Sequence, residues 1–364
     1  MKQASILISR KKLLNNYNFF KSKLAKDTKI ITLVKANGYG MGDIQISSII
    51  QDIGGDYLGV ASTYEGIRLA TNSIKIPIMV LNPLVETIED IVKHNLEPTI
   101  INIQFIIALN KYLKENQIYN YPVHINIDTG MQRAGVTLED ISIFLELIRN
   151  NRHIIIKSVF THLAAADEPI HDQFTNEQIN LFFTIATSIE QECGYKIFKH
   201  ALNSWGIQRF STNNFDMARL GIGLYGTGYE NNQDSLFPVA DFVAPIIHIK
   251  EAKGGTVGYG RHGKISENGD TIATICAGYA DGIDRRLGNG AIRFSLNGKM
   301  VPTIGNICMD TTMLNISGVD AKIGDLVTIF GSAPHPNYIA SILGTISYEV
   351  LTSVSSRVAR IITE

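Results

Sequence analysis

The sequence predicts an α/β chain in which a (β/α)8 barrel of the TIM type is followed by a smaller, mostly β domain. Three observations lead there. Apolar, β-branched runs recur at intervals of roughly 20 to 40 residues through the larger, N-terminal part of the chain. Amphipathic helical patterns separate these runs, so strand and helix alternate. Beyond Pro238 the texture changes to short strands separated by turn signals such as Asn289-Gly290 and Asn297-Gly298. Eight alternating units are what such a barrel needs, and a doubly wound sheet is the alternative.

In chain order, the strand candidates are 30–34, 57–60, 76–81, 98–101, 123–127, 154–160, 198–202 and 217–220. Helical periodicity is carried by 13–24, 44–53, 86–94, 104–114, 138–148 and 177–192. The polar run Asn231-Asn232-Gln233-Asp234-Ser235 reads as a linker, which divides the chain into a barrel over residues 1–235 and a second domain over 236–364. Strands are expected there at 242–249, 271–276, 291–296, 301–304, 310–316 and 326–330, with short helices at 338–343 and 347–351.

A chain of 364 residues with 45% hydrophobic content can bury a large core. Its net charge of -1 gives no electrostatic reason to expect nucleic acid or a membrane surface, which leaves small polar ligands as the default. Cys193, Cys276 and Cys308 are too few and too widely spaced for a zinc site or a disulfide framework. With neither an apolar leader nor a run long enough to span a bilayer, the expected compartment is the reducing cytoplasm.

In a barrel the active site lies at the C-terminal ends of the strands, so the residues there can be read as a set. The first strand ends in Lys35. A buried ammonium at a strand tip is costly, whereas an amine in an apolar pocket has a lowered pKa and is a good carbonyl nucleophile. The alternative is a salt-bridged lysine beside a turn. Tyr39, four residues on, offers its hydroxyl to an anion. Later strand ends carry Asp128 to Arg133, Thr161-His162, Asn203-Ser204 and Arg219 to Gly223. This set holds cations, hydroxyls and glycines but no carboxylate pair and no metal triad, which suits an anionic ligand. Ser204 and the Gly221-Ile222-Gly223 turn are candidate phosphate ligands, because exposed backbone N–H groups on late barrel loops make anion sites.

The stretch V-K-A-N-G-Y-G-M-G, residues 34–42, resembles the pyridoxal-phosphate lysine motif of bacterial alanine racemases. Further blocks match the same family in the same order: D-T-G-M-Q-R-A-G at 128–135, V-G-Y-G-R at 257–261, Cys308-Met309-Asp310, and T-I-S-Y-E-V at 345–350. The resemblance implies pyridoxal phosphate as cofactor, held by Lys35, Tyr39, His162, Asn203, Ser204, Arg219, Gly221, Ile222 and Tyr348. It implies alanine racemisation by two bases, Lys35 and Tyr259, with D-alanine destined for peptidoglycan. Arg133 and the Met309 backbone N–H would take the substrate carboxylate, since a planar guanidinium fits a carboxylate fork. The second domain would bring Tyr259 and Met309 into the active site of a partner subunit, so a homodimer with shared sites is expected. Asp167, Tyr279 and Arg285 match the family's entrance to the site.

Arg219 distinguishes this reading from its nearest rival. A guanidinium cannot give up its proton in proteins, so a ring nitrogen facing it stays unprotonated and the ring is a weaker electron sink. Returning a proton to the same carbon is then favoured. Barrel-type decarboxylases carry Glu-Pro-Gly at the corresponding strand end, whereas this chain has Arg219-Leu220-Gly221. His162 and His200 are expected beside Arg219, with His162 helping to acidify Tyr259. Other rivals are a serine or broader-specificity racemase and a non-enzymatic cofactor carrier. Besides Leu220, which stands where the family usually has proline, two residues depart informatively from the family pattern. Asn126 replaces a lysine that becomes carbamylated, so a chloride is the expected substitute, and Asn306 replaces an arginine of the corridor.

Overall fold

The computed structural model describes residues 3–213, 215–228 and 235–364. Its first strand, β1 (Ser5–Ser9), has no counterpart among the expected strands. The next eight are the barrel strands predicted from the sequence: β2 (Lys29–Leu33), β3 (Tyr57–Val60), β4 (Ile78–Val80), β5 (Glu97–Ile100), β6 (Tyr121–Asn126), β7 (Ile154–Phe160), β8 (Phe198–His200) and β9 (Met217–Leu220). They pair in parallel and in sequence from β2 to β8, and β9 returns to pair with β2. The seam between β8 and β9 is joined by backbone hydrogen bonds from Asp216 to Lys199 (3.0 Å) and from Arg219 to Leu202 (2.9 Å). This closure rules out the doubly wound alternative.

The barrel strands are buried on both faces, as β3 and β9 show with every residue buried, and therefore read as continuous apolar runs. β4 is shorter than expected because Pro77 has no N–H for the ladder. The six expected helices are present, at Arg10–Ser22, Asp43–Asp52, Ile88–Lys93, Ile103–Glu115, Ile141–Ile148 and Asp172–Cys193. Two more were not anticipated, Thr63–Thr71 and Ser204–Arg209. The first opens on a capping box between Ser62 and Glu65.

The second sheet contains β10 (Ala240–Ala252), β13 (Asp270–Ile275), β14 (Arg293–Leu296), β15 (Lys299–Pro302), β16 (Thr312–Asn315), β17 (Leu326–Phe330) and β18 (Ala359–Thr363), while β11 (Thr256–Val257) and β12 (Gly263–Lys264) form a separate hairpin. β1 lies in this sheet, antiparallel to β10 and parallel to β18. Its alternating Ile6 and Ile8 are fully buried there, which explains an apolar run that the barrel has no use for. The turns at Asn289-Gly290 and Asn297-Gly298 have positive φ at both residues, the geometry that Asn-Gly favours in tight hairpins. Helices at Pro336–Leu343 and Ser347–Thr352 occupy the expected positions. Of the expected linker, Asn231 to Asp234 lie outside the described residues. Among the described residues no helix is long and apolar enough to cross a membrane and no metal-ligating group is found, and the three cysteines are free.

Asn16, fully buried in the first barrel helix, ties the end of the barrel to the start of the second domain. Its Nδ2 donates to the carbonyls of Leu224 (3.0 Å) and Phe237 (2.8 Å), and its Oδ1 accepts from Phe237 N–H (3.0 Å). An unpartnered buried group costs about 1–3 kcal/mol. Asn16→Ala is therefore expected to lower stability by on the order of 3 kcal/mol, read from the shift of the denaturant midpoint. An unchanged midpoint would show that these bonds are replaceable.

Candidate active site

β2 delivers Lys35 and the chain then enters a left-handed turn. Ala36, Asn37, Gly38, Tyr39 and Gly40 have φ of 52, 54, 61, 52 and 83°. For a non-glycine residue this conformation costs roughly 1–2 kcal/mol, so the turn must be held from outside. Glu65 Oε1 accepts from Ala36 N–H (2.7 Å), and its other oxygen accepts from Ala61 N–H (2.7 Å). On the far side Arg360 donates to the Gly40 carbonyl (3.1 and 2.8 Å). A Cβ on Gly40 would stand 2.0 Å from the Leu351 carbonyl, so only glycine admits the helix of the second domain that packs there. The turn expected after the lysine is thus a clamped left-handed one. Burial, with Arg133 and Arg219 nearby, lowers the Lys35 pKa, and Glu65 opposes the effect.

Arg219 is the largest fully buried side chain, 2% exposed. Its guanidinium donates to the carbonyls of Thr161 (2.7 Å) and Ala201 (2.9 Å), to His200 Nδ1 (2.8 Å) and more weakly to His162 Nδ1 (3.3 Å). It also lies over the Phe160 ring, 5.0 Å from the centroid. Burial and Arg133 bring its pKa down to about 9, so it remains cationic at neutral pH. His162 and His200 are beside Arg219 as expected. Burial and the neighbouring cations pull His162 down to about 3 and His200 well below its ordinary value, so both are neutral. His162 therefore brings no positive charge to Tyr259, which leaves a hydrogen bond as the help it can offer.

Three hydroxyls converge near Gly221. Ser204 Oγ accepts from Gly221 N–H (3.0 Å) and Gly223 N–H (3.2 Å), which leaves its proton to donate. The Tyr39 hydroxyl lies 2.6 Å from where a Gly221 Cβ would be, and its ring stacks on Tyr225 at 4.7 Å. Tyr348 Oη accepts from Trp205 Nε1 (3.1 Å) and likewise keeps its own proton; burial pushes its pKa up to about 12. The Ile222 N–H has no partner among the described residues, while the Gly221 N–H is committed to Ser204. Asn203 caps the following helix through Gly206 N–H (2.8 Å), so its carbonyl oxygen is occupied.

Arg133 is exposed and makes no hydrogen bond or ion pair among the described residues. Asn126 uses its Nδ2 on the Ala134 carbonyl (2.7 Å), and its Oδ1 is buried without a partner. An anion beside Arg133 would therefore meet Asn126 through the remaining Nδ2 hydrogen and not through Oδ1. Tyr259 and Met309 are 73% and 53% exposed on the second domain, and none of their hydrogen bonds reaches the Lys35 cluster. The Met309 N–H has no partner among the described residues. Asn306 is buried within that domain, where its Nδ2 donates to the Tyr259 carbonyl (2.9 Å) and its Oδ1 accepts from Asn289 (2.8 Å). It braces the Tyr259 turn. Asp167, Tyr279 and Arg285 are all exposed.

Four supporting residues were missed by sequence reasoning: Glu65, Trp205, Tyr225 and Arg360. Glu65 had a usable signal in the Ser62-x-x-Glu65 capping box. The other three act through contacts between distant segments and left no local pattern.

Residues 8–228 match the family description "Alanine racemase, N-terminal domain", and residues 239–362 match "Alanine racemase, C-terminal domain". The chain is 35% identical to the alanine racemase of Chlorobaculum tepidum, covering 98% of this chain and 94% of that one. It is 33% identical to alanine racemase 1 of Caldanaerobacter subterraneus subsp. tengcongensis, covering 95% and 91%. Among solved structures, an alanine racemase of Clostridium difficile 630 superposes with a TM-score of 0.92 at 33% identity, covering 99% of this chain and 96% of that one. The structure of the Bacillus anthracis alanine racemase with bound L-Ala-P superposes with a TM-score of 0.89 at 28% identity, covering 100% and 96%.

The clamp and the cation cluster act on Lys35 in opposite directions. Glu65→Gln keeps an acceptor for the turn but removes the charge that raises the Lys35 pKa, so that pKa is expected to fall further. Rates of amine acylation at Lys35 against pH, followed by mass spectrometry of its peptide in the cofactor-free protein, measure this. A pKa that stays put or rises would limit Glu65 to holding the turn.

Proposed function

The chain belongs to the alanine racemase family, and from that premise we propose that it interconverts L- and D-alanine with pyridoxal phosphate by a two-base mechanism, supplying D-alanine for peptidoglycan. The observation that carries this reading is Arg219, a buried guanidinium with only uncharged hydrogen-bond partners at the strand end where a decarboxylase would place an acid.

The residues present fit the cofactor. Tyr39, Ser204 and Tyr348 keep hydroxyl protons free, and the Ile222 N–H adds a fourth donor suited to a phosphate. Lys35 provides an amine whose pKa is lowered. The cations Lys35, Arg133 and Arg219 gather around neutral His162, an arrangement that anions of cofactor and substrate would balance. When bound, pyridoxal phosphate supplies a carbonyl that captures amino groups and a ring that draws electrons from the α-carbon.

The chain's own residues do the rest. Arg133 and the partner's Met309 N–H bind the substrate carboxylate and fix which bonds of the α-carbon face the bases. Lys35 Nζ takes or returns the α-proton on one face. The partner's Tyr259 Oη does so on the other, because one base cannot serve both faces. With His162 neutral, the guanidinium groups of the cluster are the remaining source of the positive field that a tyrosine needs to ionise. Arg219 holds a donor that cannot protonate a ring nitrogen, which favours proton return over loss of other groups. In this reading residues 1–235 hold the cofactor with help from Tyr348, and 236–364 deliver Tyr259 and Met309 across a homodimer. Asn306 sets the Tyr259 turn for that delivery.

Two outcomes test the proposal. Incubating the protein with pyridoxal phosphate, reducing with borohydride and mapping peptides should place the label on Lys35, and chiral chromatography should show L-alanine converted to the D form. A label on another lysine, or gas release in place of racemisation, would overturn it.

Shared sites predict complementation. Lys35→Ala and Tyr259→Phe homodimers should each be nearly inactive. In a mixed dimer one site carries both defects and the other neither, so the isolated heterodimer should recover about half the wild-type activity, as two-fold isologous contacts require. A heterodimer as inactive as its parents would show that each site is built within one chain.

A further inference from the structure

A chain of hydrogen bonds crosses the closed interior of the barrel and ends on Arg219. It takes one residue from each of five consecutive strands: Glu97 on β5, His124 on β6, Ser158 on β7, His200 on β8 and Arg219 on β9. The links are Glu97 Oε2 to His124 Nε2 (2.8 Å), His124 Nδ1 to Ser158 Oγ (2.7 Å), Ser158 Oγ to His200 Nε2 (2.9 Å) and His200 Nδ1 to Arg219 (2.8 Å). All five residues are buried.

Donor chemistry fixes the direction of every link. A guanidinium only donates, so His200 Nδ1 accepts and its proton sits on Nε2, which donates to Ser158. The Ser158 hydroxyl has no other acceptor among the described residues, so its proton goes to His124 Nδ1. His124 then carries its own proton on Nε2 and donates it to the Glu97 carboxylate. Both imidazoles are neutral and each is locked in one tautomer. The relay points one way, from a cation to an anion. Among the described residues Arg219 has no carboxylate against it, although a buried charge normally needs a partner. Glu97, which also accepts from the Tyr57 hydroxyl on β3, is the negative end of the relay.

We propose that Glu97 is a positioning residue for the reaction, the remote counter-charge that fixes Arg219 in orientation and charge through His124, Ser158 and His200. Its link to catalysis rests on the reading that Arg219 faces the cofactor ring; the relay itself does not. Such chains polarise one another, so a change at one end is felt at the other.

The test is ring 15N NMR on the full chain labelled with 15N-histidine, with and without pyridoxal phosphate. His124 and His200 should both be neutral with the proton on Nε2 in both states. A proton on Nδ1 of either ring, or a doubly protonated ring, would overturn the relay. Glu97→Gln keeps an acceptor for His124 but removes the charge. It should shift the ring resonances of His200, three strands away, and lower kcat roughly 10- to 100-fold, as loss of an outer-shell partner of a functional group typically does, while KM for alanine stays nearly constant. An unmoved His200 signal, or a loss confined to KM, would reduce Glu97 to a packing role. Should that variant fail to fold, the wild-type tautomers still decide the matter. Correct tautomers in a protein that does not racemise alanine would leave the relay standing and remove the functional reading instead.

Discussion

A single residue closes the barrel and anchors its site. The backbone N–H of Arg219 bonds Leu202 across the seam between β8 and β9, while its guanidinium gathers the carbonyls of Thr161 and Ala201 and the ring of His200. The ends of three strands are therefore held by one side chain. Burying a guanidinium is expensive, and the structure meets the cost with four acceptors on its two terminal nitrogens and an aromatic face beneath. The positions of His162, of the Gly221 turn and of the hydroxyls around it follow from that arrangement.

The second constraint is the left-handed turn after Lys35. Held by Glu65 from the barrel and by Arg360 from the C-terminal segment, it can exist only when both domains are in place. The helix carrying Tyr348 packs against the same turn through Leu351 and Gly40. Lys35, the hydroxyl of Tyr348 and the second domain are thus mechanically one assembly.

Much of this was legible in the sequence because its signals are local. Apolar runs marked all eight barrel strands, most cleanly β3 and β4, where every residue is buried and no alternation is left to misread. Lys35, Arg219 and Ser204 could be read as a site because a barrel gathers its strand ends. The rest depended on contacts between remote segments. Nothing local to Arg360 announces Gly40 as its partner, and nothing near Trp205 points to Tyr348. The neutral state of His162 follows from its burial and from three neighbouring cations, an environment that only folding assembles. Asn126 shows the same limit, because its amide's orientation is set by the Ala134 carbonyl eight residues on. β1 was missed because its apolar run belongs to a sheet whose other strands begin more than two hundred residues later.

That strand also sets the order of assembly. During synthesis β1 emerges first, but its neighbours β10 and β18 emerge late and last. The barrel can close on its own strands while the second sheet waits for the final residues to reach the opening ones. Pairings of such sequence separation make folding slow and leave unpaired edges exposed in the interval. Docking of β18 onto β1, rather than completion of the barrel, is then the event that commits the chain to its native form, and without β18 one edge of β1 would stay open.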